Sequence, residues 1–403
     1  MSGDVQTDAY QRNVEALVSK LRRRYRFMSP EVLTAGLITH LRQIVGSRRA
    51  ALETLVVLRQ VVTKARFSNI EQLVEIIHGA GRRLVEAQPK GTSLTVAFPG
   101  RHNMDSTEFS VGNTVRKVLH HIREEYRTAA KKVPEDTALS ISKLVYQGQP
   151  RRRGMAPKSE TDVDLKEDDL DDTDSFSRNL KPVFMEAIQD VFDELETVYD
   201  SISKSAKDHI HSDEIILTIG QSTTVENFLK AAAHYRNFTV IVAETGPTYQ
   251  GHRMAQSLSE AGISTFLVPD SSIYAIMSRV NKVILGAHAI IANGGMFAVT
   301  GSLLAATAAQ AHSTPVVVCA GQFKITPLWN LYQDYSALDF SDPSNVLGFE
   351  EGDLVDKADV INPYYDYVGP DLVYAYITND GDHPPTSIYR LIKETYNDED
   401  IEL

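Results

Sequence analysis

The chain carries one cysteine among its 403 residues, Cys319. An internal disulfide is therefore excluded, and so is a metal site built on several thiolates. No apolar run approaches the length of a membrane span. The polar stretch from Met1 to Tyr10 lacks the apolar core of a secretory signal, so a reducing, cytosolic setting is the expectation. The histidines show neither HxxxH nor HExxH spacing, which removes the helix-borne pairs that hold catalytic zinc. Neither a metal nor a cofactor is expected. Positive charge is also scarce. A net charge of −12 argues against broad, nonspecific nucleic-acid binding, because phosphate affinity comes largely from surplus Lys and Arg. Two local basic clusters remain, Lys20 with Arg22, Arg23, Arg24 and Arg26, and Arg151 with Arg152 and Arg153; a solvated helix face accounts for the first, with a protein or RNA contact as its alternative.

What is present is ordinary globular composition, 42% hydrophobic and 23% charged, over a length sufficient for two domains. From Asp8 to Ala87 apolar residues recur at three and four positions, as in Val14, Leu17, Leu21 and Tyr25, and again in Leu73, Ile76, Ile77, Ala80 and Leu84. Asn69 is placed to cap that last series. The segment from Gln88 to Ser110 holds Pro89, Gly91, Pro99 and Gly100 and reads as a loop, with Leu94 to Phe98 as a short strand within it. Val115, Val118, Leu119, Ile122 and Tyr126 then line one helical face, and a short helix is expected over Thr137 to Leu144. This gives an all-helical N-terminal domain over 1–146. The stretch 147–182, rich in acid and poor in apolar residues, is expected to be a disordered linker or large loop. Phe184, Ile188, Val191, Phe192, Leu195, Val198, Tyr199 and Ile202 describe a long connecting helix over 183–211.

Beyond Ser212 the period changes. Ile215 to Ile219, Thr239 to Ala243, Thr265 to Val268, Val283 to Leu285, Ala289 to Ala292, Val316 to Cys319 and Val373 to Ile377 are short β-rich runs separated by helical patterns, with a terminal helix from about Ser387. The fold class that follows is α/β: an all-helical N-terminal domain, then a Rossmann-like, doubly wound, mostly parallel sheet over 212–403.

Ligands in such sheets bind outside the carboxyl ends of the strands. Three turns are expected there: Gly220-Gln221-Ser222, Glu244-Thr245-Gly246 and Asn293-Gly294-Gly295. The last follows the run Val283 to Ile291 and precedes the alanine-rich Leu303 to Ala311, an order that reads as strand, glycine turn, helix. It supplies backbone amides and no acid, base or nucleophile, so a ligand-binding crevice and a plain tight turn both fit. Gly220 and Ser222 fit either a phosphate cradle or a simple helix cap, without the spacing of a dinucleotide fingerprint or a P-loop. Glu244 fits a general base or a loop anchor. Cys319, in the run Pro315 to Cys319, reads as buried and inert.

Several segments together bring a family into view: Ile216 to Glu226, Val240 to Glu244, Gln250-Gly251-His252, Met277 to Val283, Ala292 to Gly295 with Ala298 to Gly301, His312 to Pro315, Tyr365 to Val368 and Ile388 to Leu391. They resemble the beta subunits of eukaryotic translation initiation factor 2B and cover most of Ser212 to Leu403. The helical half agrees more loosely, in Val111 to Arg116 and Arg123 to Tyr126. The resemblance implies a non-catalytic regulatory and scaffold subunit of the guanine-nucleotide exchange factor that returns initiation factor 2 from its GDP-bound to its GTP-bound form. Its partners would be the alpha, gamma, delta and epsilon subunits of factor 2B, in a hetero-decamer, and initiation factor 2 itself, whose alpha-subunit phosphorylation the regulatory core senses. No direct nucleic-acid or membrane contact is implied.

The same fold is similar to that of sugar-phosphate isomerases acting on methylthioribose 1-phosphate and ribose 1,5-bisphosphate. Those enzymes carry a cysteine after the first strand and an aspartate in an Asn-Gly-Asp turn. By motif, Ile219 stands at the cysteine's place and Gly295 at the aspartate's, so Ile219, Gly220, Gln221, Ser222, Asn293, Gly294 and Gly295 read as a degenerate isomerase site. An active isomerase, or a nucleotide or sugar-phosphate sensor that keeps the crevice without the chemistry, are the alternatives. Asp213 and Thr239 stand at two positions where animal beta subunits form an inter-subunit pocket for a small stabiliser, and both differ from the animal pattern. The Rossmann-like domain is expected to contact a like-folded partner, an expectation that rests on the family assembly together with aromatic residues near the C-terminus such as Tyr364, Tyr365, Tyr367 and Tyr389.

Overall fold

Residues 46–65, 67, 69–86, 109–132, 168–329, 342–354 and 357–403 are described in a computed structural model. The helices expected before residue 46, the strand Leu94 to Phe98, the helix Thr137 to Leu144, both basic clusters and the linker up to residue 167 lie outside the described residues.

The helical layer consists of α1 (Ser47–Lys64), α2 (Ile70–Glu86), α3 (Phe109–Lys132) and α4 (Asp168–Lys204), followed by the single turn α5 (Ala206–His209). Periodicity decides which face each helix buries. On α3, Val115, Val118, Leu119 and Ile122 are all buried, and on α4 Phe184, Ile188, Val191, Leu195, Val198 and Ile202 are, as their spacing requires. Each such side chain contributes about 1.5–3 kcal/mol through burial. Helix α4 begins earlier than the sequence suggests: 168–182, expected to be linker or loop, is helical and runs through Pro182.

Among the described residues the main sheet has seven strands: β1 (Ile215–Ile219), β2 (Thr239–Ala243), β3 (Ser264–Val268), β4 (Lys282–Gly286), β7 (Val316–Cys319), β9 (Ala375–Thr378) and β10 (Gly381–His383). Their order is β10-β9-β7-β4-β1-β2-β3, parallel throughout except for the antiparallel pair β9 and β10. Strand β7 is buried along its whole length, and β3, at the edge, is largely exposed. Helices α6 (Thr223–Ala233), α7 (Gln250–Glu260), α8 (Ile273–Met277), α9 (Ser302–Ala311) and the terminal α10 (Ile388–Thr395) flank it.

A second, antiparallel sheet corrects one expectation. Ala289 to Ala292 is not a strand of the main sheet; β5 (Ala289–Ile290) pairs with β6 (Met296–Val299), which pairs with β8 (Tyr365–Val368). Asn293-Gly294-Gly295 is therefore a hairpin turn between β5 and β6, not a strand-to-helix turn. Backbone groups of Met296 to Val299 find their partners in β8, almost seventy residues on, a pairing that local pattern does not announce. Strand β9 likewise begins two residues after the expected Val373, because a 3-10 turn occupies Pro370–Leu372.

The helical layer and the sheet share one apolar core, in which Leu55, Leu119, Ile188 and Leu195 are continuous with Val240, Val317 and Ile377. Polar ties reinforce it. Glu194 of α4 accepts from Lys117 Nζ at 2.6 Å and from Asn379 Nδ2 at 3.0 Å. The C-terminal segment returns to the helices: buried Asp400 accepts from Arg123 at 3.0 and 3.1 Å and lies 2.8 Å from His78 Nε2, while Arg116 donates to the Ile401 carbonyl. Burial lowers the Arg116 pKa, against the opposing pull of Tyr396 and Asp400.

Candidate functional site

A cavity of about 450 Å³ opens where the amino end of α1 faces the turns that follow β1 and β4. Ile219, Gln221 and Ser222 line it, so the first expected turn does reach a crevice at the carboxyl edge of the sheet. Strand β1 ends at Ile219, only 3% exposed, and Gly220 turns the chain with φ +71°. A side chain at Gly220 is barred twice, by that φ and because its Cβ would lie 2.8 Å from Val299 Cγ1. Ser222 caps α6, its Oγ accepting from Val225 N at 3.5 Å.

The second turn is tied to the first. Thr245 Oγ1 accepts from Gly220 N at 2.9 Å, and Asp270 holds the turn in place by accepting from Thr245 N at 3.0 Å and Gly246 N at 2.7 Å. Glu244 is half-buried but does not line the cavity. The arrangement favours its role as part of a loop anchor, its backbone bonded to Val268 and Gly251.

The third turn is not brought to this cavity. Asn293, Gly294 and Gly295 pack instead against β8 and β9: Asn293 Nδ2 donates to Tyr367 Oη at 2.8 Å, Asn293 Oδ1 accepts from Gly295 N at 2.8 Å, and the buried Tyr376 hydroxyl donates to the Gly294 carbonyl at 2.7 Å. Burial pushes the Tyr376 phenol up, keeping it a donor. A Cβ on Gly295 would lie 2.6 Å from Tyr367 Oη and 2.7 Å from its ring. The space a side chain would need at Gly295 is occupied by that tyrosine.

Asp213 and Thr239 lie at the other end of the strands. Thr239 opens β2, opposite Ile215, and its N–H donates to Glu214 O; Asp213, exposed and with φ 65°, donates its N–H to Asn237 O. The two are neighbours on the amino edge, away from the crevice.

Sequence pattern did not assign the remaining walls to a cavity. Arg48 and Arg49 come from the start of α1, Lys324 from the turn after β7, and His288, Tyr364 and Tyr365 from the second sheet and its approach. The rings of His288 and Tyr365 stack at 4.2 Å, and Tyr364 Oη accepts from Gln250 Nε2 at 2.8 Å. These residues converge only through long-range packing, and no local spacing could have marked them. Of the aromatic residues near the C-terminus, Tyr364, Tyr365 and Tyr367 are partly buried and Tyr389 is exposed.

Two other groups bear on chemistry. Asp366 Oδ2 accepts from Gly301 N at 2.8 Å and Leu303 N at 3.1 Å, capping α9; burial raises its pKa, opposed by those two backbone bonds. Cys319 is fully buried and its thiol is pushed well up by burial, so the reactive thiolate is disfavoured. Among the described residues no group of three or more His, Cys, Asp or Glu is placed to hold a metal ion, and no helix is long and apolar enough to cross a membrane.

The sequence matches the family described as Initiation factor 2 subunit family over residues 43–385. It is 40% identical over 387 residues to translation initiation factor eIF2B subunit beta of Schizosaccharomyces pombe, covering 89% of this chain and 94% of that one. Among solved structures, eIF2B beta from Chaetomium thermophilum superposes with a TM-score of 0.68 at 29% identity, over 96% of this chain and 98% of that one. The tetrameric eIF2B-beta2-delta2 complex of the same organism contains a chain that superposes with a TM-score of 0.62 at 27% identity, over 94% and 99% of the two chains.

Proposed function

The chain belongs to the initiation factor 2 subunit family, and on that premise we propose that it is a non-catalytic regulatory and scaffold subunit of the guanine-nucleotide exchange factor acting on initiation factor 2. In this reading it works in the cytosol, assembles with the alpha, gamma, delta and epsilon subunits of factor 2B, and helps to bind initiation factor 2 and to sense phosphorylation of its alpha subunit. It carries no exchange chemistry of its own.

One reading of the residues carries it. By motif resemblance, the places of the isomerases' nucleophile and acid fall on Ile219 and Gly295; both are buried here, and Tyr367 fills the space beside Gly295. Proton-transfer isomerisation needs a general acid and base within hydrogen-bond reach of the sugar. An alkyl side chain and a glycine hemmed in by a phenol offer neither.

Assembly is supported by apolar side chains left on the surface around the outer edge of the sheet. Phe266 and Leu267 of β3 are 58% and 45% exposed, Tyr274 of α8 is 59% exposed, and Leu304 of the adjacent α9 is 47% exposed. Exposed apolar groups on an unpaired edge strand and the helices beside the sheet are features of contact surfaces. We assign this edge to a like-folded sibling, the delta subunit. Pure protein incubated with ribose 1,5-bisphosphate or methylthioribose 1-phosphate is expected to give no turnover. Measurable isomerisation would replace this reading with an active isomerase.

A further inference from the structure

We propose that the segment 397–403 is a detachable strap that holds α2 and α3 in their pose on the sheet half, and that the carboxylate of Asp400 sets its grip. The proposal concerns a conformational device and stands apart from the regulatory reading. The strap starts from a fixed point. Tyr396, just after α10, is buried, and its hydroxyl donates to the Ile325 carbonyl at 2.7 Å. A single 3-10 turn, Asp398–Asp400, then carries the chain across to the helices.

One carboxylate joins the strap to both helices. Asp400 is fully buried; its Oδ2 accepts from Arg123 Nε at 3.1 Å, and its Oδ1 accepts from Arg123 Nη2 at 3.0 Å and lies 2.8 Å from His78 Nε2. Arg123 belongs to α3 and His78 to α2. Arg116 adds a second hold on α3, donating to the Ile401 carbonyl from Nε at 3.1 Å and from Nη2 at 2.9 Å. The apolar share is small. Ile401 and Leu403 are only partly buried, the latter beside Gly112 of α3. Charge-assisted hydrogen bonds are the strong ones, and breaking a buried pair costs far more than breaking an exposed one, so the grip concentrates on Asp400. Glu399 also reaches Arg123, at 2.9 Å from Nη1, but its side chain is 71% exposed, where an ion pair contributes little.

What the strap restrains is the outer part of the helical layer. Helix α2 packs on α1 and α3 rather than on the sheet. A cavity of about 580 Å³ opens between α2 and α3, lined by Val74, His78, Arg123, Tyr126 and Glu399 among others. Glu399 is the strap's share of that wall. Release of 397–403 therefore bares one side of the groove and frees His78 and Arg123, while Leu73, Leu119 and Ile122 keep their places in the apolar core. A short segment held by a few polar bonds opens at lower free energy than the whole fold. The strap can let go without global unfolding, and α2 then gains freedom relative to the sheet.

Distances between spin labels on paired introduced cysteines in the full chain test the proposal; the native Cys319 is buried and does not compete for label. Arg83→Cys with Ser259→Cys spans α2 and α7, and Ser259→Cys with Arg390→Cys is a control pair within the sheet half; all three positions are exposed. Both pairs are expected to give one narrow distance in the otherwise unaltered chain. Asp400→Asn keeps the shape of the side chain and removes its charge. It is expected to raise the detached fraction about tenfold or more, the loss of one hydrogen bond to a charged group, and so to broaden the first pair alone. A chain ended at Asn397 is expected to broaden it further, and Glu399→Gln to leave both pairs as in the parent. The proposal is overturned if Asp400→Asn or the shortened chain keeps the parent distance between α2 and α7, if the control pair broadens with it, or if Glu399→Gln broadens it as much. The point variants decide alone if the shortened chain fails to fold.

Discussion

Restoring a side chain at Gly295 is the sharpest perturbation of the site. The atom that matters is Cβ itself, because it would meet Tyr367 Oη at 2.6 Å and the ring at 2.7 Å, inside any normal contact distance. Gly295→Ala therefore forces Tyr367 to move, which disturbs its acceptance from Asn293 at 2.8 Å and its packing on Phe297, whose ring centroid lies 5.8 Å away. Overpacking of this kind costs about 1–3 kcal/mol. A loss of about 2 kcal/mol lowers the melting midpoint of a domain this size by roughly 4–8 °C. Gly295→Asp adds the cost of placing a carboxylate in a buried turn and should fall further. The assay is thermal unfolding of Gly295→Ala, Tyr367→Ala and the double variant. Tyr367→Ala vacates the space, so the double variant should lose less than the sum of the two single losses, with a coupling of about 1 kcal/mol or more. Additive losses, or a Gly295→Ala variant as stable as the parent, would refute the reasoning.

Asp400→Ala removes the buried acceptor shared by Arg123 and His78 and should destabilise by about 3 kcal/mol, the low end for breaking a buried pair because both partners keep some solvent contact; urea unfolding reads it. Asp366 has its pKa raised by burial, so its folded form is favoured in the protonated state: its contribution is greatest below the usual carboxylate value of 3.8 and is lost as pH rises past it. The melting point of wild type relative to Asp366→Asn should accordingly decline as pH increases through that range. Cys319 should resist a thiol reagent such as dithionitrobenzoate in the native protein and react at the rate of unfolding, so rapid native labelling would contradict its burial. Phe266→Glu at the exposed sheet edge should leave the unfolding free energy within about 1 kcal/mol of wild type while abolishing association with the delta subunit, which size-exclusion chromatography of the mixed subunits reads.

Much of the fold was legible because burial leaves a periodic trace. The α4 stripe from Phe184 to Ile202 and the β1, β2 and β7 runs lie where pattern placed them, since the helix faces one apolar cluster and the strands are buried between two. The misreadings share a different physics. The start of α4 at Asp168 falls in a stretch poor in apolar residues, where hydropathy leaves no periodic trace. Strand β6 rests on pairing with Tyr365–Val368, whose partner is remote in sequence. For the same reason the glycine turn reads as strand-to-helix in the sequence and is a hairpin turn of the second sheet in the structure. Of the candidate site, Ile219, Gln221 and Ser222 were found because they end a strand and begin a helix. Arg48, Lys324 and His288 were not, because they reach the cavity from three separate elements.

The central claim, a regulatory subunit that works by assembly, is tested most directly by recovering the tagged full-length chain from its own cells at near-physiological salt and identifying what accompanies it by mass spectrometry. The account predicts the other subunits of factor 2B in fixed proportion, together with initiation factor 2. Recovery of the chain alone, or as a self-association with neither present, would contradict it.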